Sequence, residues 1–377
     1  MSIPLSEPNL GPDETAHVLA ALQTGFVSSV GTAVVKFEED FAARVGRKHA
    51  IACSNGTAAL HVALRLVGVE SGSDVLCADF TFAGSGNPIA YLGANPIFID
   101  SERETWNLDP VLVVGEIERR AAVAETQPAA VEVVHVLGQP ARMEAIVDVC
   151  ERYGIPIVED AAESLGAGWS SGRYAGVHTG AVGAIGCFSF NGNKIATTGG
   201  GGMLVTDDDE LARRARHLTT QAKVPAIGYL HDEVGYNYRL TNLAAALGNA
   251  QLGRLDEFVS SKRRIAAAYD AAFADLDVVL PPRVEGFDST YWLYSMLASD
   301  EDERDRLLKH LESRGIGARA LWRPLSAQPA YAGSTHIGTG VGKNLFERGV
   351  SLPSSTHLPE TDQTTVIDAV REFYSAR

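Results

Sequence analysis

Along the first 250 residues the apolar positions follow two alternating rhythms. One is a spacing of three and four, as in PDETAHVLAALQTG (12–25) and VVKFEEDFAARVG (34–46), which predicts amphipathic helices. Both close on glycine, and the first opens on proline and acids, as helix ends do. The other rhythm is the short unbroken apolar run. DVLCADFTF (74–82), NPIFID (95–100), VEVVHVLG (131–138) and PIVEDAAES (156–164) read as strands. ARMEAIVDVCERYG (141–154) reads as a helix between the last two. HAIACSNGTAALHVALRLVG (49–68) joins an apolar run to a helix through a small-residue turn. AVGAIGCFSFNGNK (181–194) and GGGGMLVTDDDE (199–210) add two strands across a glycine-rich loop. Apolar strands separated by helices predict a mostly parallel sheet covered on both faces, an α/β fold.

A long periodic segment, LTNLAAALGNAQLGRLDEFVSSKRRIAAAYDAAFADL (240–276), is expected to bridge to a second unit. Beyond it YWLYSMLA (291–298) reads as a strand, with helices near 301–314 and 359–376. The expected division is a large domain over 1–250, with an N-terminal arm, and a smaller C-terminal α/β domain over 251–377. Ligands of such sheets sit outside the carboxyl ends of the strands, so the residues that follow each apolar run carry the functional interest.

Charge and motif content narrow the classes. With 32 basic and 47 acidic residues in 377, the formal net charge of −15 argues against nucleic-acid or anionic-membrane partners. A phosphorylated ligand remains compatible, because backbone N–H groups can hold a phosphate without net positive charge. No apolar run approaches the ~18 residues of a membrane span. The stretch MSIPLSEPNLGPDET has neither the basic nor the apolar region of a secretory leader. Cys53, Cys77, Cys150 and Cys187 show no C-x-x-C spacing and read as buried thiols of a reducing compartment, so a cytoplasmic location is expected. No histidine or cysteine cluster has metal-ligand spacing, so no metal is expected. GTGVGKN (338–344) imitates a phosphate loop but has Ile337 at the first glycine position and Asn344 after the lysine, so it reads as a plain turn. The AGSG around Ser85 is not a nucleophile elbow, since Ala83 stands where the first glycine belongs. DDDE (207–210) reads as a solvated helix start.

Three pieces remain. SNGTAAL (54–60) would place Ser54, Gly56 and Thr57 at a helix N-terminus, an anion site by geometry. Its plainer reading is a simple cap. PIVEDAAES ends a strand in Glu159 and Asp160, where a carboxylate could bond a cationic ring nitrogen; a surface cap is the plainer reading. CFSFNGNKIATTGGGGM (187–203) sets a lone Lys194 between a strand and four glycines. A lysine partly desolvated there, near other cationic groups, can form a Schiff base; an ordinary hairpin lysine is the alternative. Taken together, a phosphate cradle, a strand-end acid and a later lysine are what pyridoxal 5′-phosphate requires.

The sequence resembles the DegT/DnrJ/EryC1/StrS sugar aminotransferases over nearly its whole length. The resemblance rests on FVSSVG (26–31), SNGTAALH (54–61), VHVLGQPARM (134–143), VEDAAESLG (158–166), FSFNGNKIATTGGGGM (188–203) and GYNYRLTNLAAALG (235–248), among others. It implies the aspartate aminotransferase-like architecture, fold type I of the pyridoxal-phosphate enzymes. It further implies that Lys194 is the Schiff-base lysine and that Asp160 pairs with the pyridine nitrogen. Phe82 would stack on the cofactor ring, and Gly56, Thr57 and Ser189 would contact its phosphate. Asn237 would reach the phosphate of the other subunit's cofactor, in a homodimer with shared active sites. Glu163 would lie near the sugar. Ser28 and Ser29 would line the sugar pocket, and Arg239 and Arg319 would contact a nucleotide diphosphate. The implied reaction is amination of a UDP-linked 4-keto-6-deoxy N-acetyl sugar at C4, with L-glutamate leaving as 2-oxoglutarate. The alternatives are C3 or C4 amination of a GDP- or dTDP-linked keto-sugar, a dehydratase or isomerase of the same fold, or a non-enzymatic regulator. The dehydratase branch carries His in place of the lysine. Leu137, Ala320 and Ser326 depart from the resemblance near the sugar-nucleotide side.

Overall fold

A computed structural model describes residues 2–375. Its centre is an eight-stranded sheet. Seven strands come from the first part of the chain: β1 His49–Cys53, β2 Asp74–Ala78, β3 Asn95–Ile99, β4 Ala130–Val134, β5 Ile157–Asp160, β6 Ile185–Ser189 and β7 Gly202–Thr206. They lie in the order β1-β7-β6-β5-β4-β2-β3, and Thr335–Ile337 joins the far edge beside β3. Only β7 runs against its neighbours, pairing antiparallel with β1 and β6, while the remaining pairs are parallel. The expected parallel sheet is therefore present, with a single reversed strand.

Why these segments form strands is visible in their burial. Ala130–Val134 is buried at all five positions, and so are the last four of β1 and of β2. A strand covered on both faces has no need of polar alternation. One face packs on a core that includes Phe37, Phe41, Phe188 and Phe190, brought by the helix Thr32–Val45 and by the chain around β6. The other packs on the helix Gly56–Leu66 through Ala59, Leu60, Val62 and Ala63.

Several runs that read as continuous strands stop early: 74–82 ends at Ala78 and 156–164 at Asp160. Each then turns out of the sheet at its carboxyl end. The segment AGSGNPIAY, for which the sequence pattern predicted no element, is the helix Ala83–Tyr91. Two glycines and a proline give it poor intrinsic propensity, but packing decides. A Cβ at Gly86 would stand 2.8 Å from the Tyr331 hydroxyl. The periodic stretch 240–276 is two helices, Asn242–Gly253 and Leu255–Phe273, broken at Arg254. Arg254 is held there by Glu14 and Glu257.

Beyond the second of these helices, Tyr294–Leu297, Arg319–Ala320 and Gly349–Leu352 form a separate antiparallel sheet with its own core of Tyr269, Phe273, Tyr294 and Leu311. The helices Glu301–Ser313 and Glu360–Ser375 belong to this unit, and Ile3 bridges to Ile316 beside it. No helix among the described residues is long and apolar enough to cross a membrane.

Candidate active site

The carboxyl ends of β5 and β6 and the N-terminus of the helix Gly56–Leu66 converge on a cavity of about 480 Å³. At the helix start Asn55 is the cap, accepting the Ala58 N–H at 2.7 Å. The N–H groups of Gly56 and Thr57 belong to the first turn, which has no partners of its own inside a helix. A Cβ on Gly56 would lie 2.9 Å from the Ser189 Cβ, so glycine is what lets the helix start abut the end of β6. The hydroxyls of Thr57 and Ser189 border the same space. Amide donors at a positive helix end, flanked by two hydroxyls, suit a phosphate.

Glu159 and Asp160 sit at adjacent positions of β5, and the period of two sends them to opposite faces. Glu159 turns away from the cavity. It bonds His135 at 2.8 Å and accepts the N–H groups of Gly180, Val182 and Gly183 at 2.8, 2.7 and 2.6 Å. Burial pushes its carboxyl up, but His135 and these amides outweigh it and hold it below the usual range. The Ala141 N–H bonds His135 Nδ1, which fixes Nε2 as the nitrogen that donates to Glu159. Asp160 faces the cavity. One oxygen accepts the Ser85 hydroxyl at 2.8 Å and the other the Ala162 N–H at 3.0 Å. Each bond leaves lone pairs for a ligand, and a buried carboxylate so held can accept from a cationic ring nitrogen.

Lys194 leaves the loop after β6. Its Nζ lies 3.3 Å from Glu163 Oε1 and 3.9 Å from the centre of the Trp292 ring. The cationic surroundings expected from the sequence are not supplied by this chain; a carboxylate and an aromatic face stand there. Glu163 is itself buried, and its Oε2 accepts the Leu137 N–H at 2.8 Å. Burial pushes its carboxyl up, helped by Asp160, against the pull of Lys194 and the Leu137 amide. An acid raised in this way beside an amine is suited to exchanging a proton with it.

Phe82, Glu163 and Arg319 also line the cavity. Phe82 is largely exposed at the head of the helix Ala83–Tyr91, its ring against Gly84. Arg319 is exposed and makes no ion pair among the described residues. Of the departures, Ala320 lines the cavity, and Leu137 meets the site through its backbone. Ser326 is bound through its N–H and hydroxyl to Asp79, at 2.7 and 2.8 Å.

Ser54, expected with Gly56 and Thr57 at the anion site, does not line the cavity, and its N–H is bonded to the Tyr238 carbonyl at 2.7 Å; four residues expected from the resemblance also lie outside it. The Arg239 guanidinium is held by buried Glu38 at 2.6 Å and the Ala52 carbonyl at 3.3 Å. Ser28 and Ser29 are exposed near the first helices, with the Ser28 carbonyl accepting from the Asn242 N–H. Asn237 is exposed and accepts from Gln221 at 3.0 Å. Two residues that sequence reading missed are in the site. Ser85 lies on the unforeseen helix, four positions after Thr81, whose hydroxyl is 2.8 Å away. Thr81 precedes the helix, and the glycines around Ser85 hid the element that brings it there. Trp292 sits just ahead of a strand, and nothing in its local sequence ties it to Lys194.

The cavity's chemistry therefore fits pyridoxal phosphate: an anion cradle, a buried acceptor carboxylate and an amine. The family model of the DegT/DnrJ/EryC1/StrS aminotransferases matches residues 8–371. EpsN of Bacillus subtilis is 42% identical over 98% of this chain and 95% of its own. A GDP-perosamine synthase of Escherichia coli O157:H7 is 37% identical over 99% of both. Among solved structures, DesV of S. venezuelae, in complex with a ketimine intermediate, superposes with a TM-score of 0.86 at 31% identity, covering 96% of this chain and 94% of that one. The chain thus belongs to the DegT/DnrJ/EryC1/StrS aminotransferase family and is a pyridoxal-phosphate-dependent sugar aminotransferase.

Proposed function

We propose that this enzyme aminates a nucleotide-linked 4-keto-6-deoxy sugar at C4, with L-glutamate as donor and 2-oxoglutarate as the spent acid. The observation that carries the reading is the convergence of Lys194, Asp160 and the Gly56–Thr57 helix start on one cavity. Pyridoxal phosphate, when bound, supplies the electron sink. In this reading Lys194 would be the amine that holds the cofactor and, when free, the group that would carry a proton at the reacting carbon. Asp160 would accept from the pyridine nitrogen and so favour its protonated form. Gly56, Thr57 and Ser189 hold the phosphate, and Phe82 covers one face of the ring. Glu163 holds the Lys194 ammonium at 3.3 Å when that amine is free, and can take or return its proton. Arg319, uncommitted at the mouth, is the guanidinium best placed to pair with a diphosphate.

UDP, GDP and dTDP all remain open as the nucleotide, and two of them have support. Resemblance favoured a UDP-linked N-acetyl sugar. The GDP-linked alternative is supported by a relative named for a GDP-linked amino sugar at 37% identity. We further propose a homodimer in which Asn237 serves the neighbouring subunit's cofactor. Exposed Phe26, Val30, Ile227 and Tyr229 provide apolar surface for a second copy to cover.

The test is mass spectrometry of products from glutamate and a panel of UDP-, GDP- and dTDP-linked keto-sugars. A mass gain for amine in place of carbonyl, from one nucleotide class, is expected. Lys194→Ala is expected to lose turnover by several orders of magnitude together with the visible absorbance of the bound cofactor. Turnover near the unaltered rate in that variant would refute the assignment.

A further inference from the structure

Lys194 must be free of the cofactor for half of each transamination cycle, and the chain holds the free amine from two sides. One side is Glu163, already described. The other is Trp292, whose ring centre lies 3.9 Å from Nζ, within the range of a cation–π contact. The contacts close a loop. Glu163 Oε2 accepts the Leu137 N–H at 2.8 Å, and the Leu137 carbonyl accepts the Trp292 N–H at 2.9 Å. Four segments thus form one closed loop of contacts in which Nζ is a member.

The Trp292 side chain has little freedom within it. Its indole N–H donates to the Asn193 carbonyl at 2.7 Å, so the tryptophan grips the loop that carries Lys194. Its own carbonyl accepts from the fully buried Lys262 ammonium at 2.7 Å. The indole packs in parallel with Trp322, their centres 6.2 Å apart at 10°. The two residues that aim this ring are backbone outliers. Leu137 has φ +56° and Tyr291, immediately before Trp292, has φ +50°. Left-handed backbone at a leucine and a tyrosine costs free energy that the surrounding structure must offset, and such outliers cluster where a site needs a set geometry.

We propose that Trp292 is a positioning residue for Lys194: its indole face parks the free ammonium beside Glu163, which can take its proton and leave the amine neutral to add to the cofactor's aldehyde, whose oxygen would leave as water, while the indole N–H fixes the loop beneath. This rests on Lys194 being the attachment point. The role needs an aromatic face, not a hydroxyl or a charge. A phenylalanine keeps the face and loses the N–H; a leucine loses both.

The experiment uses the full chain freed of cofactor. Stopped-flow absorbance follows its covalent capture of pyridoxal 5′-phosphate. Equilibrium titration with pyridoxamine 5′-phosphate, which has no aldehyde, reports the rest of the pocket. Trp292→Leu is expected to slow capture on the order of tenfold with pyridoxamine phosphate affinity unchanged, and Trp292→Phe to recover most of the rate. Unchanged capture in Trp292→Leu overturns the proposal. So does an equal loss in both variants accompanied by lost pyridoxamine phosphate affinity, which would mark a merely structural tryptophan. Lys194→Ala separates this from the underlying assignment: continued covalent capture by that variant would remove the attachment point itself, whatever Trp292 does.

Discussion

Glu132 lies in the middle of β4, fully buried, and neither carboxyl oxygen finds a hydrogen-bond donor. It shares a sheet face with apolar neighbours: Cys77 is its partner across β2 and Val158 its partner across β5. Burial pushes its carboxyl well above the usual range, and Asp160 adds to the push. The linkage has the reverse of the common carboxylate sign. The folded state keeps the proton that the unfolded chain releases near pH 4.5. Folding therefore binds more protons than unfolding above that pH, and stability drops as pH rises. Glu132→Leu, close in volume, removes an unsatisfied buried acid and is expected to raise stability by about 1–3 kcal/mol. Urea midpoints at pH 5 and pH 8 check this. The gain should be larger at the higher pH, and a variant that unfolds earlier than the parent at both would show that Glu132 has a partner after all.

At the scale of elements, the glycine-rich turn that imitates a phosphate loop has a definite job. Asp100, at the end of β3, accepts the N–H groups of Thr339, Gly340, Val341 and Gly342 at 2.6–2.9 Å, as well as its neighbour Ser101 at 2.8 Å. A carboxylate of the protein occupies the nest that a phosphate would need. Burial opposes its charge, but the amides outweigh burial and hold its carboxyl below the usual range. Asp100→Asn is expected to cost roughly 3 kcal/mol at neutral pH, since several charge-assisted bonds are lost together. Because the folded group is the stronger acid, its contribution is present above the ordinary aspartate range and fades on acidification through the folded value. Thermal unfolding of both proteins should therefore differ at pH 7 and converge toward pH 3. The same region explains what the sequence could and could not convey. The rejection of the phosphate loop was legible, because motif chemistry is local. The apolar strands were legible because both faces are buried. Thr335–Ile337 was not, since three residues carry no periodicity and their pairing with β3, beside the turn that Asp100 fastens, is a tertiary contact. The helix Ala83–Tyr91, with Ser85 behind Asp160, was hidden for a related reason: its glycines serve close approach to Tyr331 and Phe82, a tertiary demand that composition alone reads as loop.

For the whole molecule, the residues brought together and those left out divide along one line. Gly56, Thr57, Asp160, Glu163, Ser189 and Lys194 meet in one cavity, whereas Asn237 faces outward beside the exposed hairpin that carries Tyr229 and Leu230. A closed two-fold dimer uses the same patch on both copies, so a surface residue beside it can serve the opposite cavity. Complementation tests that arrangement without a new structure. If the proposed dimer holds, mixing Lys194→Ala and Asn237→Ala chains would leave one cavity of each mixed dimer without either group. The other keeps its own Lys194 and receives an unaltered Asn237 from its neighbour. Random exchange of subunits makes half the dimers mixed, so activity should recover to about one site in four of the unaltered enzyme. Unmixed Lys194→Ala should contribute nothing, and Asn237→Ala should be weakened in cofactor affinity through a lost phosphate contact. Activity that never exceeds the average of the two parents after exchange would mean that each subunit carries a complete site, and Asn237 would then be a residue of the surface alone.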